Sequence, residues 1–297
     1  MDRRDRLLAL TVVVLWGLNF PATVYALDHY PPLLAAALRF VLLSIPAMLF
    51  VPLPQVRLVW LVGAALGVGV MQFGFLYAGM AAGMPPGLAS LVLQAQAPFT
   101  MLLAAMLLGE RLTARRALGV GVALAGLAII GTHRAQSASW LPVAMLLMAA
   151  LGWAIGNICS RLARPPKPLH FTMWMSLVPP IPLFLLSLAM ERPLILPALS
   201  TALSPEALIA NLGLIYIVVF SSMVGYGIWN TLIARHPASA VAPWSLLVPV
   251  VGVLSSWAAF GEMPTIVELL AGLLVVGGVL IATRAPRRVP MVQPVAA

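Results

Sequence analysis

Charge is scarce in this chain. Only 8% of its 297 residues are Asp, Glu, Lys or Arg, whereas 62% are hydrophobic. A soluble domain averages roughly 25% charged residues. A soluble fold of this length needs a polar skin that such a composition cannot supply, so the apolar surplus must face lipid. Acids are scarcer still. All eight (Asp2, Asp5, Asp28, Glu110, Glu191, Glu206, Glu262 and Glu268) fall at the amino terminus, in connections or near the ends of apolar runs. Lipophilic cations call for a buried carboxylate, and so does proton antiport through a carboxylate relay; this distribution speaks against both. The one cysteine, Cys159, excludes an internal disulfide and any CxxC metal or redox motif. His29, His133, His170 and His236 sit in connections or at run ends, where a solvated ring is expected. There is no HExxH, no paired acids and no His/Cys cluster for an intramembrane hydrolase, and no GxxxxGK[ST] loop for an ATP motor. No cofactor, no metal and no enzymatic role are expected. A membrane-embedded enzyme or a channel is the competing class.

What the chain does contain is apolar runs long enough to span a bilayer, which takes about 20 residues in a helix. Ten are found, at 7–27, 33–53, 58–80, 86–108, 114–131, 139–160, 168–190, 207–232, 238–260 and 266–283. The connections carry breaker pairs such as Pro31-Pro32, Pro85-Pro86 and His236-Pro237. The longest, about 191–206, is expected to be only a loop. The first run follows MDRRDR like a signal peptide, but it lacks a small-residue cleavage site and reads as the first helix. The net charge of +9 does not point to nucleic acid, because the basic residues lie between apolar runs. Ten alternating helices place fourteen of the 17 basic residues on the side of the termini and two, Arg134 and Arg192, on the other, with Arg39 inside a helix. Cytoplasmic connections are the basic ones, so both termini are expected in the cytoplasm.

The sequence repeats itself after about 150 residues. Gly109-Glu110 ends the fourth run and Gly261-Glu262 the ninth; at the same offset of 152, Pro85 falls on Pro237 and Tyr77 on Trp229. Five helices per half is an odd number, so the halves insert in opposite senses. The charges agree: Arg111, Arg115 and Arg116 follow Glu110, whereas no basic residue follows Glu262 before the tenth run. The expected fold is an all-α integral membrane protein of ten transmembrane helices, arranged as two inverted five-helix repeats, 1–134 and 135–297. Inverted repeats are an architecture of secondary transporters, with substrate held between the halves near the midplane. Interrupted helices mark such sites, and Pro98, Pro249 and Pro243 are candidate hinge or gating positions.

Polar side chains in a membrane helix face the bundle interior or a wet cavity. Asn19, Arg39, Gln72, Tyr77, Asn157 and Ser245 are candidates to meet substrate. In the fourth run Ser90 and Gln94 share a helical face with Pro98 while Gln96 points elsewhere, and one of the two glutamines is expected to tie helices together. In the eighth, Tyr226 and Asn230 share a face and Trp229 lies beside it. Trp16, Trp153, Trp174, Trp229 and Trp244 are candidate walls, the alternative being an aromatic belt at the interface. Arg39 either snorkels to the membrane edge or captures a substrate carboxylate with its guanidinium fork.

Several stretches carry a resemblance: Gly83–Thr100 (GMPPGLASLVLQAQAPFT), GERL at 109–112, WGLNF at 16–20, Arg39-Phe40, VGYGIWNTL at 224–232 and SLLVPVVG at 245–252. Together they resemble the EamA branch of the drug/metabolite transporter superfamily over nearly the whole chain. Within it they are most similar to bacterial exporters of cysteine, O-acetylserine and other amino-acid metabolites, and a similar exporter takes aromatic amino acids. The resemblance implies the ten-helix inverted-repeat fold, a bacterial inner-membrane location and outward transport of amino acids. With no acid in the spans, the expected mechanism is facilitated diffusion of neutral or zwitterionic substrates by a functional monomer. The alternative is a proton-coupled antiporter of drugs or other metabolites.

Overall fold

A computed structural model describes residues 1–110, 113–137, 139–236 and 241–283. Among them nine helices are long and apolar enough to cross a membrane: Arg3–Leu27, Pro32–Phe50, Leu58–Ala81, Pro86–Leu108, Ala114–His133, Leu141–Ala163, Pro168–Met190, Pro205–Leu232 and Ile266–Thr283. A further apolar helix, Trp244–Phe260, lies between the last two. In chain order these ten are helices one to ten, and each falls on one of the ten runs read from the sequence. Their outward faces are apolar, with Phe50 80%, Met106 78% and Ile181 68% exposed, as a lipid-facing surface requires. The residues described contain no strand.

Packing respects the repeat. Helix six lies against helices three and four; helix one lies against helices eight and nine, their counterparts in the other half. Helices two and seven, four and nine, and five and ten pair across the centre. Every one of these contacts maps onto another, or onto itself, when the halves are exchanged. Small residues allow the closest of them. A Cβ on Gly278 would stand 2.5 Å from the Ala123 nitrogen, and one on Gly119 would stand 2.5 Å from the Ala282 nitrogen, so helices five and ten touch backbone to backbone. Gly67 meets Gly152 and Gly156 between helices three and six in the same way.

Contacts between connections obey the expected alternation. On the side of the termini, Asp5 pairs with His236 and Glu110 with Arg161. On the opposite side, the Tyr30 hydroxyl donates to Asn211 at 2.6 Å and His133 meets Thr265 at 3.2 Å. Glu191 also lies there. It accepts from the Leu33 and Leu34 amides at 2.9 and 3.1 Å and from the Ser187 hydroxyl at 2.7 Å, so the end of helix seven caps the start of helix two. His236 is likewise not a solvated ring, because it is held by Asp5.

Departures from the sequence reading have local causes. The 191–206 connection is not a bare loop but contains the helix Arg192–Ser200; Pro193 suits its first turn, and Ile195 and Ala198, three apart, are buried. Helix seven is broken between Pro168–Met175 and Pro180–Met190. Pro179, Pro180 and Pro182 have no N–H to continue the helix, and Ser176, Leu177 and Val178 turn back to carbonyls three residues earlier. Helix one breaks at Leu18, where Pro21 cannot donate to Gly17. The expected match of Pro85 with Pro237 involves a residue outside those described, as do Arg111 and Arg284 onward.

Four further irregularities come in two matched pairs. Helix three is π-wound over Ala65–Gln72 and helix eight over Tyr216–Val224. Helix four tightens to 3-10 winding over Leu93–Ala95 and helix nine over Ala242–Leu247. Both pairs recur near the repeat offset of 152. Helices four and nine also end alike, on Gly109 and Gly261 with φ of 67° and 71°, a left-handed conformation that suits glycine.

Candidate functional site

The irregular segments converge on one cavity of about 430 Å³, within the size range of small-molecule sites. Non-helical backbone at membrane depth is tolerated where it is buried in protein or lines a wet cavity, and each of the four segments contributes a polar lining residue: Gln72, Gln94, Ser221 and Ser245. Helices one, two, three, four, six, eight, nine and ten line the space; five and seven do not. Asn157 near the end of helix six, Ser245 at the start of helix nine and Thr283 at the end of helix ten place it toward the side of the termini.

Arg39 is the charged group of the cavity lining and is only 3% exposed. Its Nη1 donates to the Tyr77 hydroxyl at 3.2 Å and its Nη2 to the Ser222 hydroxyl at 3.0 Å. Its guanidinium carbon sits 3.8 Å from the centre of the Phe73 ring, a cation–π contact. Among the described residues Nε has no hydrogen-bond partner and no Asp or Glu lines the cavity. Arg39 therefore does not snorkel: it is held from helices three and eight, facing inward. Asn19 Oδ1 and Gln72 Oε1 are also buried without a partner. Such orphans are rare and expensive. Of the four found among the described residues, three belong to side chains of this cavity.

An aromatic group forms the wall between helices one and eight. Trp16 lies 5.5 Å from Tyr226 and 5.1 Å from Trp229, ring centre to ring centre. Its indole N–H donates to the Ser221 carbonyl, 3.0 Å away in the π segment. Trp153 lines the cavity from helix six, where Asn157 donates to the Thr100 hydroxyl at 3.3 Å. Ser90 is buried at the closed side, donating to the Gly87 carbonyl at 2.6 Å.

The cavity thus gathers Trp16, Asn19, Arg39, Gln72, Ser90, Gln94, Trp153, Asn157, Tyr226, Trp229 and Ser245 among the residues selected from the sequence. Four others lie elsewhere. Tyr77 is fully buried one layer back, orienting Arg39. Asn230 turns away and donates to the Tyr226 carbonyl at 2.8 Å. Trp244 packs with Ala9, Leu232 and Val241 in a separate cluster, and Trp174 donates to the Val51 carbonyl at 2.9 Å. Pro98 and Pro249 do not interrupt continuous helices. Each stands in the first turn of the segment that follows a 3-10 stretch, and in helix nine the Val248 N–H takes up the Ser245 carbonyl that Pro249 cannot reach. Pro243 stands in the first turn of the 3-10 segment of helix nine; its side chain lies outside those described.

Sequence reasoning missed Gln96, Phe20, Phe73, Thr100 and Ser221. Gln96 joins Gln94 because 3-10 winding, at about 120° per residue, brings positions two apart to about 120° of each other instead of about 160°. Thr100 follows Gln96 by four and donates to its carbonyl at 2.7 Å, a spacing that would have found it had Gln96 been kept.

Comparison with known proteins accords with this architecture. The chain is 40% identical to a probable amino-acid metabolite efflux pump of Salmonella typhimurium, over 95% of both chains. It is 39% identical to one of the same description from Escherichia coli, again over 95% of both. A probable terminal-alkyne amino-acid exporter of Streptantibioticus cattleyicolor is 28% identical over 93% of this chain and 92% of its own. A solved crystal structure with 21% identity superposes with a TM-score of 0.61, covering 95% of this chain and 98% of that one, and so shares the fold. The model of the EamA-like transporter family matches residues 6–132 and 140–284, one match to each half, and the chain belongs to that family.

Proposed function

We propose that this protein exports zwitterionic amino acids and related metabolites from the bacterial cytoplasm, with Arg39 holding the substrate carboxylate. One observation carries the reading: a buried guanidinium facing a cavity that contains no acid, with its Nε unpartnered. Guanidinium binds carboxylates through parallel N–H bonds, and a desolvated site strengthens them. Asn19, Gln72, Ser90, Gln94, Asn157 and Ser245 supply neutral polar contacts; Trp16, Trp153, Tyr226 and Trp229 enclose the organic part. Tyr77 positions Arg39. The efflux activity in the relatives' descriptions supports the direction and the substrate class.

The two family matches support halves of 1–134 and 135–297 that rock against each other about the cavity, the turns before Pro98 and Pro249 flexing. The basic connections favour a cytoplasmic place for both termini, which makes this the inward-facing arrangement. No lining acid is present to carry a proton, which favours facilitated diffusion over proton antiport. Ten helices complete the cavity without a second copy, which favours a monomer.

Counterflow in reconstituted vesicles tests the reading. Vesicles preloaded with unlabelled cysteine or O-acetylserine should take up the labelled compound transiently above equilibrium, and amino-acid methyl esters should compete poorly. Equal competition by acid and ester would remove Arg39 from substrate binding. Strong acceleration by an imposed pH gradient would refute simple facilitation.

A further inference from the structure

The charge balance of the cavity extends its range of cargo. Arg39 brings one buried positive charge, and no carboxylate lines the space to balance it. A zwitterion neutralises the guanidinium with its carboxylate but carries its own cation into a site with no anion. The polar partners available to that ammonium are neutral, and the Phe73 face already holds the guanidinium at 3.8 Å. Among the described residues the lining is otherwise uncharged, and it includes Phe20, Leu93, Leu246 and Val248 together with the indoles of Trp16 and Trp229. Such a surface suits an acyl or alkyl group as well as it suits a solvated ammonium.

We infer that the same cavity carries monoanionic carboxylates whose amino group is acylated or absent, moving one net negative charge per cycle. This rests on the assignment of Arg39 to the carboxylate. Its consequence is a driving force. An inside-negative membrane potential pushes an anion outward, so export of this cargo needs no coupled ion, whereas a neutral zwitterion follows its concentration gradient alone. With binding-site charge held by the protein, the charge translocated is that of the cargo.

The test uses the full chain in vesicles, with labelled alanine and N-acetylalanine as probes and a potassium diffusion potential set by valinomycin. An inside-positive potential of about 60 mV should concentrate N-acetylalanine about tenfold, since a single charge gives a decade per 59 mV. Alanine should enter without responding to the potential. N-acetylalanine methyl ester should neither enter through the protein nor compete. Arg39→Gln should abolish uptake of N-acetylalanine, and Arg39→Lys should restore part of it, with folding of both checked by size-exclusion profile. Carriage of alanine but not of N-acetylalanine would overturn the inference and leave the proposed function standing. Carriage of neither by a folded wild-type protein would overturn the inference, and a failure to exchange cysteine and O-acetylserine as well would overturn the proposed function. Entry of N-acetylalanine with no response to potential would overturn the net transfer of charge.

Discussion

Glu191 offers the sharpest test of how the halves are joined. Its carboxylate is 8% exposed and accepts three hydrogen bonds, two of them from the first-turn amides of helix two. Glu191→Ala leaves the Leu33 and Leu34 amides without an acceptor. Each orphaned buried donor costs about 1–3 kcal/mol, so the loss is about 2–5 kcal/mol after some rehydration near the membrane edge. Glu191→Gln keeps one acceptor oxygen and should lose roughly half as much. At about 2–4 °C per kcal/mol, the alanine variant should unfold roughly 5–15 °C below wild type. Cys159 supplies the assay. It is the one thiol in the chain, packed against Gly63, and a thiol-reactive dye reports its exposure on heating in detergent. The variants are compared at one heating rate because unfolding of such proteins is irreversible. If Glu191→Ala melted within about 2 °C of wild type, the cap would contribute nothing and the reasoning would be wrong.

Other consequences follow from packing and lining. Gly278→Leu forces a side chain to within 2.5 Å of helix five backbone and should abolish the folded peak in fluorescence-detected size exclusion, whereas Gly277→Leu, whose Cβ meets nothing within 4 Å, should keep it. Gln94→Ala and Gln96→Ala should each impair counterflow, because both glutamines line the cavity; normal transport in both with abundance intact would displace the site. Trp16→Phe keeps a ring beside Tyr226 and Trp229 but loses the bond to the Ser221 carbonyl. With about 1 kcal/mol at stake, the apparent Km should rise roughly fivefold, and an unchanged Km would detach that bond from binding.

The sequence reveals the frame of this molecule because the membrane enforces it. Runs near 20 apolar residues can only be spans, and the Gly-Glu pairs at 109–110 and 261–262 expose the repeat. Much of the cavity is legible for a related reason: an amide or a guanidinium in a span has few places to go. What stays hidden depends on winding. Gln96 is misplaced by ideal helical spacing because the turn before it is tighter, and Asn230 because its amide is spent on the Tyr226 carbonyl one turn earlier. Glu191 and His236 look like solvated loop residues in one dimension, since their partners Leu33 and Asp5 lie 158 and 231 residues away.

The paired irregularities carry the mechanistic argument furthest. A π or 3-10 segment inside a membrane helix weakens its hydrogen bonding, and the chain contains these at matched places in both halves, each against the cavity. If they were packing accidents, straightening one would stabilise the protein and leave transport alone. If they are the joints about which the halves rock, straightening one should stabilise the protein and slow it. Pro98→Ala separates these outcomes. The alanine regains an N–H that can reach the Gln94 carbonyl, worth about 0.5–1.5 kcal/mol, so the melting temperature should hold or rise by a few degrees. Turnover in counterflow should nonetheless fall about tenfold, with Km little changed, because the missing flexibility affects the conformational step rather than the binding contacts. Pro249→Ala should behave alike, since its N–H can share the Ser245 carbonyl that the Val248 N–H now holds. A variant that is more stable and equally fast would show that the matched turns shape the cavity without moving it.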